Sequence, residues 1–319
     1  MAVYTHIDAE LLAKFLSGYD IGAPLVFKGI AEGISNSNYF LQTDVDRYIL
    51  TLYEMRANTK DLPYFLDVMH HLADAGLPCP LPVDDKKGVS LQKLADRDAC
   101  IISFLDGVSV SHPTAEQCAS VGKVLADMHV AAGSFTQSRD NELSVQGWKD
   151  LASSVRDQAD TITPGLAKLI DDEIAYLEDH WPTDLPSGLV HADLFPDNVL
   201  FTGDKLTGII DFYFACSDMF AYDIAVCINA WCFDEDHQFL TSHAKRLTEM
   251  YDIVRPLTAA EVEALPILCR GAAMRFLITR VYDWLNPVSD AIVRAKDPLD
   301  YVKRLAFHQH VKDAADYVI

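Results

Sequence analysis

The sequence predicts an α+β fold in two parts: an antiparallel sheet carrying one helix over residues 1–104, and a mostly helical part over 105–319. Three observations carry this reading. Strand-like runs crowd the first hundred residues. Apolar spacing at helical period dominates the rest of the chain. Between them, Leu105-Asp106-Gly107 and then Thr114-Ala-Glu-Gln117, a capping box, mark the change of character. At 319 residues the chain has room for two domains, or for one bilobal unit with a cleft between its halves.

In chain order, residues 8–16 read as a short helix with Leu11, Leu12 and Phe15 as its apolar stripe. Strand-like runs come next at 24–30, 38–43 and 47–53, the last two joined by Asp44-Val45-Asp46. A helix over 61–75 presents Phe65, Val68, Met69 and Leu72 on one face. The proline-rich stretch 78–82 is unsuited to a central strand, and two further strands are expected at 89–95 and 99–104. The capping box then opens a helix that turns Cys118, Val121, Leu125 and Met128 inward. Residues 265–285 are the most apolar later stretch, but Arg270, Arg275, Arg280 and Asp283 interrupt it, which predicts a core helix and not a membrane span.

Half the residues are apolar and 23% are charged, ordinary for a globular protein. A net charge of −21 argues against nucleic acid and anionic membranes as partners, since both need a cationic footprint. It leaves phosphate-bearing substrates open, because a metal ion and local donors neutralise them. Seven cysteines without a CxxC pair read as reduced, buried, small hydrophobes of a cytoplasmic chain, and no signal-peptide pattern is visible at the start.

The chemistry concentrates in His191-Ala-Asp193-Leu-Phe-Pro-Asp-Asn198 and Ile209-Ile-Asp211-Phe. A carboxylate, an amide five residues later and a second carboxylate after one hairpin suit metal-assisted phosphoryl transfer: one group orients a hydroxyl and two hold magnesium. The hairpin turns at Gly203-Asp204. Paired positions then sum to 407, which sets Asn198 opposite Ile209 and Asp211 two residues further along the same face. Any one of these signals alone is more often a polar loop or a strand end; the joint pattern is far rarer.

Other clusters are weaker. Residues 32–38 form a small polar inter-strand loop without GxGxxG or GxxxxGK, and by itself such a loop is more often an ordinary hairpin connection. Residues 101–105 offer backbone groups to an adenine at the expected lobe junction. Asp223 opens an apolar helix, where a carboxylate most often serves the helix end. His70, His71, His129, His308 and His310 lack metal-type spacing, and no GxSxG elbow is present.

Together these motifs resemble the aminoglycoside phosphotransferase/choline kinase superfamily, small-molecule relatives of protein kinases. Gly33-Ile-Ser-Asn-Ser-Asn-Tyr39, Arg47-Tyr-Ile-Leu-Thr-Leu-Tyr-Glu54, Ile102-Ser-Phe-Leu-Asp-Gly107 and Tyr222-Asp-Ile-Ala-Val-Cys-Ile-Asn-Ala-Trp231 are similar to type II homoserine kinases. The resemblance implies a bilobal protein-kinase-like fold, residues 1–104 binding nucleotide and 105–319 carrying catalysis and substrate. It implies ATP as co-substrate, Mg2+ as cofactor and phosphorylation of L-homoserine on the way to threonine. Asp193 would be the base and His191 would brace its loop, with Asn198 and Asp211 as magnesium ligands. Ser35, Asn36 and Ser37 match the nucleotide-positioning loop, and Ser103, Phe104 and Leu105 the adenine-binding linker. Thr51 stands where kinases usually place a phosphate-binding lysine, so either Arg47, Arg56 or Lys60 serves instead or the charge rests mainly on magnesium. Asp223, Arg270 and Arg275 are the candidates for the substrate's charged groups, with Arg280 of the same helix a third arginine that spacing does not separate from the other two. A kinase for another small alcohol, such as an amino-alcohol or aminoglycoside, and an inactive kinase-like binding protein stay open as alternatives.

Overall fold

The computed structural model describes residues 5–30, 36–54, 59–287 and 295–317. The described residues up to Asp106 form one compact unit, and those from Gly107 onward a second.

In the first unit, α1 (Ala9–Leu16) starts at Asp8, whose carboxylate accepts from Leu11 N–H. Strands β1 (Pro24–Gly29), β2 (Asn36–Thr43) and β3 (Arg47–Tyr53) precede α2 (Leu62–Asp74); β4 (Gln92–Leu94) and β5 (Arg97–Ser103) complete a five-stranded antiparallel sheet of order β1-β2-β3-β5-β4. Along β2 buried and half-buried residues alternate, as expected of a strand with one face on a core. That core joins Leu12 and Leu16 of α1 to Leu41, Leu50, Leu52 and Ile101 of the sheet. The four residues expected on the inner face of α2 are all buried. β4 is shorter than the expected 89–95 because Asp85 takes Val89 into a turn, its carboxylate accepting from Val89 N–H and its own N–H donating to Val89 O.

The second unit begins with α3 (Ala115–Ala132), opened by the predicted capping box with both reciprocal bonds formed. Helices α4 (Val145–Ala159) and α5 (Leu166–His180) come after it. Next are β6 (Ser187–Val190), the hairpin β7 (Val199–Thr202) and β8 (Lys205–Ile209), and β9 (Cys216–Met219), which pairs antiparallel with β6. Helices α6 (Phe220–Trp231), α7 (Thr241–Val254), α8 (Ala259–Leu285) and α9 (Leu299–His310) close the unit. Gly122 lets α3 and α7 meet: a Cβ there would lie 1.9 Å from Leu247 O. The expected core helix is α8, with Leu265, Leu268, Leu277 and Val281 buried. No described helix is long and apolar enough to cross a membrane, and all seven cysteines are buried and unpaired.

Candidate active site

Pairing of β6 with β9 (Val190 opposite Cys216) and of β7 with β8 fixes two loops beside each other. Residues 191–198 leave β6 and enter β7 through a 3-10 turn, Pro196–Asn198; residues 210–215 leave β8 and enter β9 through another, Phe212–Phe214. The hairpin turns at Gly203-Asp204 as expected, and next to the turn the pairs sum to 407. A bulge between Leu200 and Phe201 then shifts the register, so Ile209 lies opposite Val199 and not Asn198. Ile210 N–H instead donates to Asn198 O (2.9 Å), and Asp211 has left the strand with φ 68°. The extra residue changes which face a strand side chain takes, and the left-handed backbone at Asp211 re-aims it. Both side chains still line one pocket.

Asp223 sits in the first turn of α6 but serves a different segment. Its two carboxylate oxygens accept from His191 N–H and Ala192 N–H, each at 2.8 Å, and His129 Nε2 reaches it at 3.2 Å. Burial by itself would raise its pKa, but the bonds from His129 and His191 outweigh that and hold it below the usual carboxylate range. The grip has a purpose in the backbone: Ala192 is held at φ 62°, a conformation that costs a residue with a Cβ about 1–2 kcal/mol. Behind His129, Tyr251 bonds Nδ1 (2.7 Å), and Arg255 donates to the Tyr251 hydroxyl (3.2 Å) and pairs with Glu261 at the start of α8. With zero exposure, Asp223 is a support of the loop and not the substrate contact expected of it.

His191 links the two loops. Asp193 N–H donates to its Nδ1 (3.2 Å), and its Nε2 faces Ile210 O (3.1 Å). That pattern requires the neutral tautomer protonated on Nε2, in keeping with burial lowering the imidazole pKa. Asn198 Nδ2 donates to the carbonyl (2.8 Å) and carboxylate (3.2 Å) of Asp193, which turns its Oδ1 away from that residue. Arg275, 1% exposed, donates to Ala192 O and brings Nη2 to 3.9 Å from Asp193 Oδ1.

Asp193, Asp197, Asn198, Asp211 and Arg275 line a pocket of ≈ 410 Å³, with Arg280, Asp283 and Lys296 further along its wall. Burial raises the Asp193 pKa to about 7; Arg275 pulls it down, while Asp211 and Asp197 push it up. Asp211 opens onto the pocket, yet the protein around it raises its carboxyl too, with a bond from Tyr213 opposing and the charge of Asp197 adding. A carboxylate whose pKa is raised by neighbouring carboxylates gains from a cation placed between them. Among the described residues no group of three or more His, Cys, Asp or Glu is arranged to hold a metal alone. An amide oxygen and a carboxylate nonetheless fit magnesium, a hard ion that takes one or two protein oxygens and completes its shell with phosphates and water.

Arg270 lies elsewhere. It is bidentate to Glu173 (2.7 Å twice), stacks on Tyr176 and lines a separate hollow with Gln309. That hollow shares no lining residue with the Asp193 pocket. The expected substrate role for Arg270 is therefore corrected to a structural ion pair. Asp283 and Lys296 are pocket residues that sequence reasoning missed; for Asp283 the signal was its place three residues after Arg280 on one helix.

In the first unit, the expected phosphate contacts are partly spent internally. Ser37 Oγ donates to Glu54 (2.6 Å) and Thr51 Oγ1 to Asn38 (2.8 Å), both from buried positions, Ser37 on the sheet face that carries Leu50 and Leu52 and Thr51 on the opposite one. Glu54 also accepts from Thr5 and Arg97. Asn36 is buried with Oδ1 unpartnered. Ser35 and Arg56 lie outside the described residues. Ser103 bonds Leu81 through N–H and Oγ, Phe104 N–H donates to Arg47 O, and Leu105 is half-buried. Arg47, one expected substitute for the missing lysine, is bidentate to Asp106 (2.9 Å twice).

Comparison with known proteins gives the chain's relatives. The profile of the Phosphotransferase enzyme family matches residues 26–257. A homoserine kinase of Methylobacterium radiotolerans is 55% identical over 317 residues, 99% of each chain. Among solved structures, the choline kinase of Cryptosporidium parvum aligns with TM-score 0.68 at 15% identity over 95% of this chain and 94% of its own. The amicoumacin kinase hAmiN, solved with AMP-PNP, Ca2+ and Ami, aligns with TM-score 0.67 at 16% identity over 95% and 92%. At those identities the two structures speak to the fold alone.

Proposed function

The chain belongs to the Phosphotransferase enzyme family, and from that premise we propose that it transfers the γ-phosphoryl group of ATP to the side-chain hydroxyl of L-homoserine, giving O-phospho-L-homoserine and ADP. The observation that carries this reading is the Asp193 pocket, in a chain aligned end to end with a curated homoserine kinase.

The residues divide the work. Asp193, with a pKa of about 7, orients the hydroxyl and accepts its proton as the substrate oxygen bonds to the γ-phosphorus. The bond from that phosphorus to the β–γ bridging oxygen breaks, and ADP leaves. Asn198 steadies the Asp193 carboxylate through Nδ2, and its Oδ1 with Asp211 would hold Mg2+. When bound, the ion neutralises charge that builds on the phosphoryl oxygens. His191 and Asp223 keep the loop in place. On the nucleotide side, Asn36 keeps an open acceptor, and Ser103 to Leu105 carry the adenine contacts. Arg56, Lys60 and Arg47, which also pairs with Asp106, are the cations proposed for the phosphates, unless magnesium alone carries their charge. We assign the reaction to the cytoplasm, where ATP is made and where seven unpaired thiols stay reduced.

A coupled ADP-release assay over L-homoserine, choline, ethanolamine and an aminoglycoside tests the reading. L-Homoserine is expected to give the largest kcat/KM; a larger value for any other acceptor overturns the substrate assignment.

A further inference from the structure

Homoserine carries two opposite charges on one carbon, and the pocket wall carries two opposite charges on one helix face. We infer that Arg280 binds the acceptor's α-carboxylate and Asp283 its α-ammonium group, an assignment that rests on the homoserine reading above. The two residues stand three apart on α8, where Cβ atoms are roughly 5–6 Å apart, and both line the Asp193 pocket. They do not neutralise each other. Arg280 commits Nη1 to Asp297 O (2.9 Å) and Asp300 (3.0 Å), which fixes the guanidinium and leaves Nε and Nη2 as a fork for a carboxylate. Asp283 has no hydrogen-bond or ion-pair partner among the described residues.

The pocket's other two cations are turned elsewhere. Arg275, 1% exposed, donates to Ala192 O and faces Asp193, its Nε without a partner among the described residues, and Lys296 pairs with Asp197. Position along the helix fits as well. Arg275 marks the reacting end beside Asp193, and Arg280 and Asp283 lie roughly 7.5 and 12 Å further along the axis at 1.5 Å per residue. A four-carbon acceptor spans roughly 4 Å from hydroxyl to α-carbon, and the arginine and aspartate side chains cover the remainder. The negative charge of Asp193, Asp197 and Asp211 disfavours a carboxylate at the reacting end, so the substrate enters hydroxyl first.

Two truncated acceptors separate the charges: 4-hydroxybutanoate lacks only the ammonium group and 3-aminopropan-1-ol only the carboxylate. Arg280→Met is expected to lower kcat/KM for L-homoserine about ten- to a hundredfold, mainly through KM, and to weaken 4-hydroxybutanoate as a competitive inhibitor by a similar factor. Inhibition by 3-aminopropan-1-ol should stay within about twofold. Asp283→Asn should show the mirror image. Equal weakening of all three ligands in either variant, or L-homoserine kinetics within about threefold of wild type, overturns the assignment. A wild-type protein that forms no phosphohomoserine would instead sink the substrate reading itself, so the two failures are distinct.

Discussion

Replacing Asp223 tests whether the catalytic loop is held from beneath. Asp223→Ala strands three buried donors at once: the N–H groups of His191 and Ala192 and Nε2 of His129. Each unpaired donor costs about 1–3 kcal/mol, and opening a buried charged network as a whole typically costs about 3–5 kcal/mol. That is a large share of the roughly 5–15 kcal/mol that holds an ordinary domain folded. The expected fall in melting temperature is on the order of 10 °C. Without the carboxylate nothing opposes relaxation of Ala192 from φ 62°, so Asp193 moves with it. A displacement near 1 Å costs on the order of 10²-fold in kcat. Asp223→Asn keeps one acceptor oxygen but turns an NH2 toward a donor, and should fall between the two. Urea denaturation gives the stability and single-turnover phosphorylation gives the rate. An alanine variant within about 1 kcal/mol of wild type and above half its kcat would refute the loop-support role.

Other substitutions probe separate parts of the account. Asp211→Ala should raise the magnesium concentration needed for half-maximal rate, and Asn198→Ala should do so more mildly; magnesium titrations unchanged in both would remove the shared-ion site. Arg270→Met should destabilise the fold by about 3–5 kcal/mol, because Glu173 would be left buried without a cation and with only the bond from Gln309, yet leave the KM for homoserine unchanged; a KM shift would return Arg270 to the substrate. His308 is buried against Tyr317 and Asn229, and burial lowers its pKa from 6.5 to about 3. Below pH 6.5 the unfolded chain therefore binds the proton that the folded chain refuses, so stability falls as pH drops. The loss is about 2 kcal/mol by pH 5, and His308→Gln should flatten that slope in denaturation curves taken from pH 7 to 5.

The signals that proved legible were local ones. The box at Thr114 and Gln117 formed as read, because capping uses residues three apart. The Gly203-Asp204 turn also stands where expected, yet the register beyond it does not, since a bulge leaves no mark in an alternating pattern. Asp223 reads as a helix-end carboxylate, whereas its partners lie 31 and 32 residues earlier on another loop. The three arginines of α8 could not be told apart by spacing alone. Only the packing of the helix reveals that Glu173 claims Arg270 while Ala192 claims Arg275. Thr51 and Ser37 look like polar residues available to phosphate, but Asn38 and Glu54, brought close by strand pairing, take their hydroxyls.

The central claim is that Asp193 activates the hydroxyl of homoserine toward ATP. Its most direct test tracks phosphorus by NMR in wild-type protein and Asp193→Asn, each given MgATP and L-homoserine. Wild type should convert the γ-phosphoryl signal into O-phosphohomoserine in step with ADP. The variant should bind MgATP as tightly but turn over about 10²–10⁴-fold more slowly, the usual contribution of a positioned acid–base group. A variant that keeps more than about a tenth of wild-type kcat would contradict the assignment of Asp193.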